Sequence, residues 1–171
     1  MTTLYLVRHG ETFDNKRSIL QGWMQGELND VGIQQAQKVA EELKTEPIDV
    51  FIASDLKRSI DTCAIIAEPH GKEVITTELL RERDWGSFTG KYIPDLKNVV
   101  WPEDVESLKH LKQRVRTFLD MLVEQYPGKC VLAVGHGIVN KAIQSVYFKK
   151  PMNEIEKMSN GEVRFYRLPP K

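Results

Sequence analysis

The sequence is poor in cysteine and has no surplus of either charge. It has two cysteines among 171 residues, too few for a disulfide framework. Its 24 Lys and Arg residues are balanced by 24 Asp and Glu residues, which gives a formal net charge of zero. A balanced chain without runs of like charge lacks the basic surface that nucleic-acid backbones and anionic membranes attract. We therefore expect neither nucleic acid nor membrane as a partner.

Long apolar runs, internal repeats and Gly/Ser linkers are also missing. No stretch approaches the ~20 apolar residues that span a bilayer, and no basic residue precedes the first short hydrophobic run, so we expect a cytoplasmic protein. Residues 1–171 are expected to form one domain that buries roughly 70% of its unfolded surface without disulfides or metal. Cys63 and Cys130 lie in apolar runs and are predicted to be core thiols.

Short apolar runs alternate with helical periodicities along the chain. Strands are predicted at 4–7, 50–53 and 130–134, followed by a final edge strand at 162–168 with Val163, Phe165 and Leu168 pointing inward. Helices are predicted over the apolar positions from Ile33 to Leu43 with a cap at Asn29 or Asp30, from a Ser54–Asp55 cap to about Pro69, at about 103–126 and at 137–148. This alternation predicts the α/β class, as a three-layer α/β/α sandwich with a mostly parallel central sheet.

Two histidines follow predicted strands, where such sheets place their ligands. His9 lies between Arg8 and Gly10, and His136 lies between Gly135 and Gly137. A neighbouring arginine favours the neutral imidazole, whose free lone pair can attack an electrophile. Flanking glycines leave backbone N–H groups open to an anion. The pattern favours phosphate, although a histidine hydrogen-bonded to the backbone at a strand end would look the same.

Further candidate residues come from two other segments. Arg58 falls at a strand–helix junction, where the helix N-terminus also favours an anion. The segment 80–90 lacks helical periodicity and is predicted to be a loop over the cleft, with Glu82 as a candidate general acid. Asp84 remains a rival carboxylate on sequence grounds. His70 and His110 show no paired ligand spacing, so no metal site is assigned.

Taken together, these segments resemble the histidine phosphatase superfamily, in its phosphoglycerate-mutase-like branch. The resemblance extends over nearly the whole chain, and its elements occur in the family's order. The matching segments are 7–12, Asn15, Gln21 and Gly22, 54–58, 80–82 with Gly86 and Gly90, 134–137 and 160–163.

The resemblance implies a phosphomonoesterase that needs no cofactor and acts on a small-molecule phosphate ester. His9 would become phosphorylated, while Arg8, Arg58 and His136 surround the transferring phosphoryl group. Glu82 would protonate the leaving oxygen and then help to deprotonate water. The family's contacts to the phosphoryl group or to the rest of the substrate fall on Asn15, Gln21 and Gly22.

The departures from the family pattern bear on the reaction and the substrate. Mutases of the family carry a long insertion after the glutamate loop, whereas only residues 91–102 fill that stretch here, which favours hydrolysis. The Gly-Gly-Glu-Ser turn common in phosphatase members is replaced by residues 102–107, so no subfamily is assigned. Trp23, Trp85 and Trp101 could line the mouth of the pocket or act as packing anchors. A phosphoglycerate-type mutase and a non-catalytic phosphate-binding module remain the alternatives, and the sequence leaves the oligomeric state open.

Overall fold

A computed structural model describes residues 1–171 and contains one five-stranded sheet. The strands are β1 (Thr2–Arg8), β2 (Val50–Ser54), β3 (Val74–Thr77), β4 (Cys130–Gly135) and β5 (Val163–Leu168). Their order in the sheet is β3-β2-β4-β1-β5, and every pairing is parallel except that of β1 with β5. The helices are α1 (Phe13–Lys16), α2 (Asp30–Leu43), α3 (Lys57–Ala67), α4 (Leu108–Gln125) and α5 (Gly137–Phe148).

Apolar side chains on the two faces of the sheet form two separate cores. Leu4 and Leu6 of β1 pack in one cluster with apolar residues of α4 and α5. Val7 of the same strand belongs to a second cluster, together with residues of α2 and α3. Because neighbouring residues of a strand point to opposite faces, this division puts two helices on each side of the sheet. The predicted three-layer α/β/α sandwich is confirmed.

Several predicted elements are confirmed and others differ in detail. The helix at 137–148 has the predicted bounds, and Asn29 caps α2 through a hydrogen bond to its oxygen from the Gly32 N–H. α4 begins at Leu108 after the cap Ser107, five residues later than expected, because the 103–107 segment folds against the glutamate loop instead. The Ser54–Asp55 cap of α3 is wrong, since no side chain caps that helix and Asp55 pairs with Arg81.

The edges of the sheet were the hardest parts to predict. β3 was missed because its residues are half-buried or exposed, so it lacks the apolar run that identifies a buried strand. In β5, Leu168 points inward as predicted, but Phe165 is exposed and Tyr166 is buried in its place. Alternation allows only one parity of residues on the buried face, and the buried parity here is the even one.

Both cysteines are free thiols, Cys63 fully buried and Cys130 half-buried. Burial raises the pKa of Cys63 to about 12 and that of Cys130 to about 11, so both stay protonated at neutral pH. Among the helices, none is both long enough and apolar enough to cross a bilayer.

Candidate active site

The sheet register brings the two strand-end histidines together. β1 and β4 are parallel neighbours in which Arg8 lies opposite Gly135, so His9 and His136 leave the same edge of the sheet side by side. The N–H of His9 donates to the carbonyl of Gly135 (3.1 Å), which fixes the crossing point. The two imidazole rings stand 5.0 Å apart at an interplanar angle of 62°. Two residues 127 positions apart therefore share one site through backbone pairing alone.

Hydrogen bonding selects the tautomer of His9. Its Nδ1 lies 2.7 Å from the carbonyl oxygen of Gly10, and because a carbonyl can only accept, Nδ1 must carry the proton. The lone pair is then on Nε2. Burial lowers the pKa of His9 well below its usual value, and the charges of Arg58 and Arg8 lower it further. His9 is thus a neutral imidazole with one free nitrogen, the state that a nucleophile needs.

His136 is fully buried and is also held in its neutral form. Burial, followed by the charges of Arg58, His9 and Arg8, lowers its pKa well below the usual range. Its Nε2 forms a hydrogen bond with the hydroxyl of Ser54 at the end of β2 (2.7 Å), whereas its Nδ1 has no partner.

Backbone carbonyls position the two arginines. Nη1 of Arg8 donates to the carbonyl of Met158 (2.7 Å), and the guanidinium of Arg58 donates to the carbonyls of Gly22 (2.8 Å) and Met24. Burial lowers the pKa of Arg58 to about 10, which leaves its guanidinium charged at neutral pH, and burial also lowers the pKa of Arg8. Each arginine keeps a buried Nε without a hydrogen-bond partner.

The expected role of one glycine proves wrong. The N–H of Gly10 donates to the hydroxyl of Thr62 (3.1 Å) and is not open to an anion. Gly10 is instead needed for close packing, because a Cβ at this position would lie 2.4 Å from the carbonyl oxygen of Gly32 at the start of α2.

Glu82 reaches the site from the opposite side, on the loop that follows β3. Its Oε1 accepts from the N–H groups of Val139 (2.9 Å) and Arg83 (2.9 Å), and its Oε2 accepts from that of Ile138 (3.0 Å). Glu82 therefore caps the N-terminus of α5, directly after His136. The position of the carboxylate is fixed by the same helix that follows the second histidine.

A buried ion pair holds the Glu82 loop, and the sequence analysis missed it. Arg114 of α4 donates to the carbonyls of Leu79 (2.9 Å), Arg81 (2.7 Å) and Glu82 (3.1 Å). It also pairs with Glu106 at 2.8 Å, and the side chain of Glu106 is only 4% exposed. Burial alone would raise the pKa of Glu106, but donors from Arg114 and from the Asp84 N–H outweigh that effect and lower it. Glu106 precedes α4 and Arg114 lies within it, and their spacing in the sequence carries no signal of this role.

One cavity of about 400 Å³ receives the predicted site residues, with one exception. Arg8, His9, Asn15, Gln21, Gly22, Arg58 and Glu82 line it, whereas His136 lies behind the lining. Residues that the sequence analysis did not assign also line the cavity: Glu11, Ser18, Ile19, Leu20, Ile93, Ile138 and Lys157. Asn160 lines it as well and donates to the carbonyl of His9 (3.0 Å).

The rival carboxylate and the tryptophans occupy other places. Asp84 does not line the cavity, and its Oδ1 accepts from the N–H of Gly86 (2.9 Å). Of the three tryptophans only Trp85 lines it. Trp101 stacks edge-on against Trp85 (5.4 Å between ring centroids), and the Arg81 guanidinium covers Trp23. Trp23 and Trp101 thus lie outside the cavity lining and are both exposed.

No group of three or more His, Cys, Asp or Glu side chains in residues 1–171 is arranged to hold a metal ion. The positive charge in the cavity comes from Arg8, Arg58 and Lys157.

Known proteins share both this sequence pattern and this fold. Phosphoglycerate mutase-like protein 4 of Arabidopsis thaliana is 38% identical over 96% of this chain and 79% of its own length. A metal-independent phosphoserine phosphatase of the same plant is 35% identical over 84% of this chain and 67% of its own. A solved structure of phosphoserine phosphatase from Entamoeba histolytica, in complex with 3-phosphoglyceric acid, superposes with a TM-score of 0.87. It is 26% identical and covers 96% of this chain and 90% of its own.

The family comparison spans nearly the whole sequence. Residues 4–169 match the histidine phosphatase superfamily (branch 1). The chain therefore belongs to the histidine phosphatase superfamily.

Proposed function

We propose that this protein hydrolyses a small phosphate monoester through a phosphohistidine formed on His9. The observation that carries the proposal is that the guanidinium-bearing residues Arg8 and Arg58 line one cavity with the neutral nucleophile His9. Two fixed cations beside such a nucleophile are suited to an anionic group, because hydrogen bonds between charged partners are the strong ones. Phosphoryl transfer needs mainly such positioning and charge neutralisation.

In the first step the Nε2 lone pair of His9 attacks phosphorus, and the bond from phosphorus to the leaving oxygen breaks. Protonated Glu82 gives its proton to that oxygen. Its Oε2 has a single N–H donor, Ile138, and so keeps a lone pair on which this proton can sit. Arg8 and Arg58 stabilise the charge that spreads over the phosphoryl oxygens. His136, whose ring stands 5.0 Å from that of His9 and whose Nδ1 has no partner, completes the group from behind the cavity lining.

In the second step water attacks the phosphohistidine. The N–P bond breaks, its electron pair returns to Nε2, and the Glu82 carboxylate takes the proton of the attacking water. The products are inorganic phosphate and free enzyme, so both protons are accounted for. Asn15, Gln21 and Gly22 bind the phosphoryl group or the rest of the substrate. The relatives that are named phosphatases, one of them metal-independent, support this reaction without a cofactor.

A mutase is the second candidate, because one relative is named phosphoglycerate mutase-like. The cover formed by residues 91–102 reaches the cavity through Ile93 alone, which favours the entry of water and the exit of the alcohol product.

The two reactions are separated by incubating the purified protein with 3-phosphoglycerate and measuring both free phosphate and the 2-phospho isomer. We expect stoichiometric phosphate release that is lost in His9→Ala. Isomer formation without phosphate release would establish the mutase instead. If p-nitrophenyl phosphate and a panel of alkyl phosphates all remain intact, the chain is a non-catalytic phosphate-binding module.

A further inference from the structure

One charged side chain in the cavity has no partner. Five charged residues line the cavity: Arg8, Glu11, Arg58, Glu82 and Lys157. The arginines donate to backbone carbonyls, Glu11 accepts from the Asn29 amide (2.9 Å), and Glu82 accepts from backbone N–H groups. Lys157 takes part in no hydrogen bond or ion pair. Its ammonium group is therefore available to a ligand.

The backbone on both sides of Lys157 is fixed. The carbonyl of Glu156 accepts from Arg164 (2.9 Å), and that of Met158 accepts from Arg8 (2.7 Å). Met158 itself is buried in the core. The exposed lysine thus extends from an anchored segment, so its backbone has a defined place relative to the Arg8 guanidinium.

The Lys157 ammonium lies within reach of the charges of Arg8, Lys141 and Glu82. Partial burial, followed by the charge of Arg8, lowers the pKa of Lys157, while Glu82 partly opposes this effect. A cation close to another cation gains most from an incoming anion. The phosphoryl group itself is matched by Arg8 and Arg58, so Lys157 is left for a second negative group on the same substrate.

We infer that Lys157 binds a second anionic group, a carboxylate or another phosphate, on the leaving group of the ester that His9 attacks. This inference rests on the proposed phosphatase function and narrows its substrate class. The cavity volume of about 400 Å³ and its largely polar lining fit a small metabolite better than a peptide or an aromatic ester.

The test compares esters of similar size. kcat/KM is measured for 3-phosphoglycerate, which has a carboxylate, for 1,3-propanediol bisphosphate, which has a second phosphate, and for glycerol 3-phosphate, which has neither. We expect the wild type to prefer at least one of the first two, and this preference to fall about tenfold in Lys157→Gln, mainly through KM. Lys157→Glu should reverse the preference, so that glycerol 3-phosphate becomes the better substrate. Comparison of the two esters that carry a second anionic group shows whether Lys157 favours a carboxylate or a phosphate.

The matched control is Lys141→Gln, because Lys141 is near enough to influence Lys157 but does not line the cavity. It should leave the preference unchanged. An equal loss of preference in both variants, or none in Lys157→Gln, would overturn the inference.

A binding measurement separates this inference from the proposed function. Calorimetry compares 3-carboxypropylphosphonate with propylphosphonate, neither of which can be hydrolysed. The carboxylate should improve binding in the wild type and in Lys141→Gln but not in Lys157→Gln. Discrimination without any ester hydrolysis would refute the phosphatase and leave the anion subsite standing. If the protein hydrolyses p-nitrophenyl phosphate but binds the two phosphonates equally well, the anion subsite is refuted and the phosphatase function stands.

Discussion

The inner end of the cavity and its rim are built in different ways. At the inner end His9, Arg58 and His136 are at most 2% exposed, and strand pairing or backbone carbonyls fix each of them. At the rim Ile93 is 47% exposed and Lys157 extends into solvent without a partner. The comparison teaches that the candidate nucleophile and its neighbours are tied to the core of the fold, whereas the rim consists of exposed side chains that can change without disturbing that core.

The largest expected effect comes from removing the candidate general acid, Glu82, at the inner end of the cavity. Glu82→Gln keeps the shape but removes the proton, so turnover of an alkyl phosphate should fall by ~10²–10⁴-fold. The first-step burst with p-nitrophenyl phosphate should fall much less, since nitrophenolate departs without protonation. Pre-steady-state bursts make the comparison, because water attack in the second step also uses Glu82. Asp84→Asn is the control and should show no dependence on the leaving group; equal burst losses for both esters in Glu82→Gln would refute the acid role.

The next effect tests whether Arg114 positions Glu82. Arg114→Met removes the donors to three loop carbonyls and leaves the Glu106 carboxylate buried without its arginine. The free energy of unfolding should fall by about 3–5 kcal/mol in urea titrations. Turnover of an alkyl phosphate should fall about tenfold more than the p-nitrophenyl phosphate burst, because a displaced Glu82 protonates the leaving group poorly.

Arg114→Lys should restore part of both losses, and Arg116→Met, at an exposed position of the same helix, should change neither. A stability loss with an unaltered leaving-group dependence would make Arg114 purely structural.

A smaller effect concerns pH and the buried histidines. Because burial lowers the pKa values of His9 and His136, the unfolded chain takes up protons below about pH 6.5 that the folded chain does not bind. The contribution of the two histidines to the free energy of unfolding is fully present above that pH. It is lost on acidification, by at most about 1.4 kcal/mol per pH unit for each histidine. Urea titrations at pH 7.5, 6.0 and 5.0 measure it. His9→Asn should flatten the pH dependence; an unchanged slope would show that His9 does not contribute.

The smallest expected effect is that of chelation. Arg8 and Arg58 supply the positive charge at the inner end, so activity should persist in excess EDTA. Vanadate should inhibit strongly, because its trigonal-bipyramidal adducts resemble the transferring phosphoryl group. Loss of activity on chelation, with recovery on adding a divalent ion, would contradict a site that relies on arginines.

The same division between inner end and rim decides what the sequence could predict. The sequence could place His9, His136 and Arg58 near one another because they follow apolar strands with clear patterns, and parallel pairing brings strand ends together. β3 and the five-residue delay of α4 were missed, since edge strands and helix starts are set by tertiary contacts rather than by periodicity. The sequence analysis missed Lys157 and Arg114 for a related reason. A lone lysine in a loop and an arginine in an amphipathic helix look like solvated charges until the chain is folded.

The most direct measurement traps the covalent step. Rapid quench of a single turnover with a phosphate ester labelled in its phosphoryl group should yield one labelled phosphoenzyme per active site, stable in base and labile in acid, as expected for a phosphohistidine. The label should be absent from His9→Ala and present in His70→Ala, a control that lies outside the cavity lining. Label that persists in His9→Ala, or hydrolysis by the wild type without any labelled enzyme, would contradict the account.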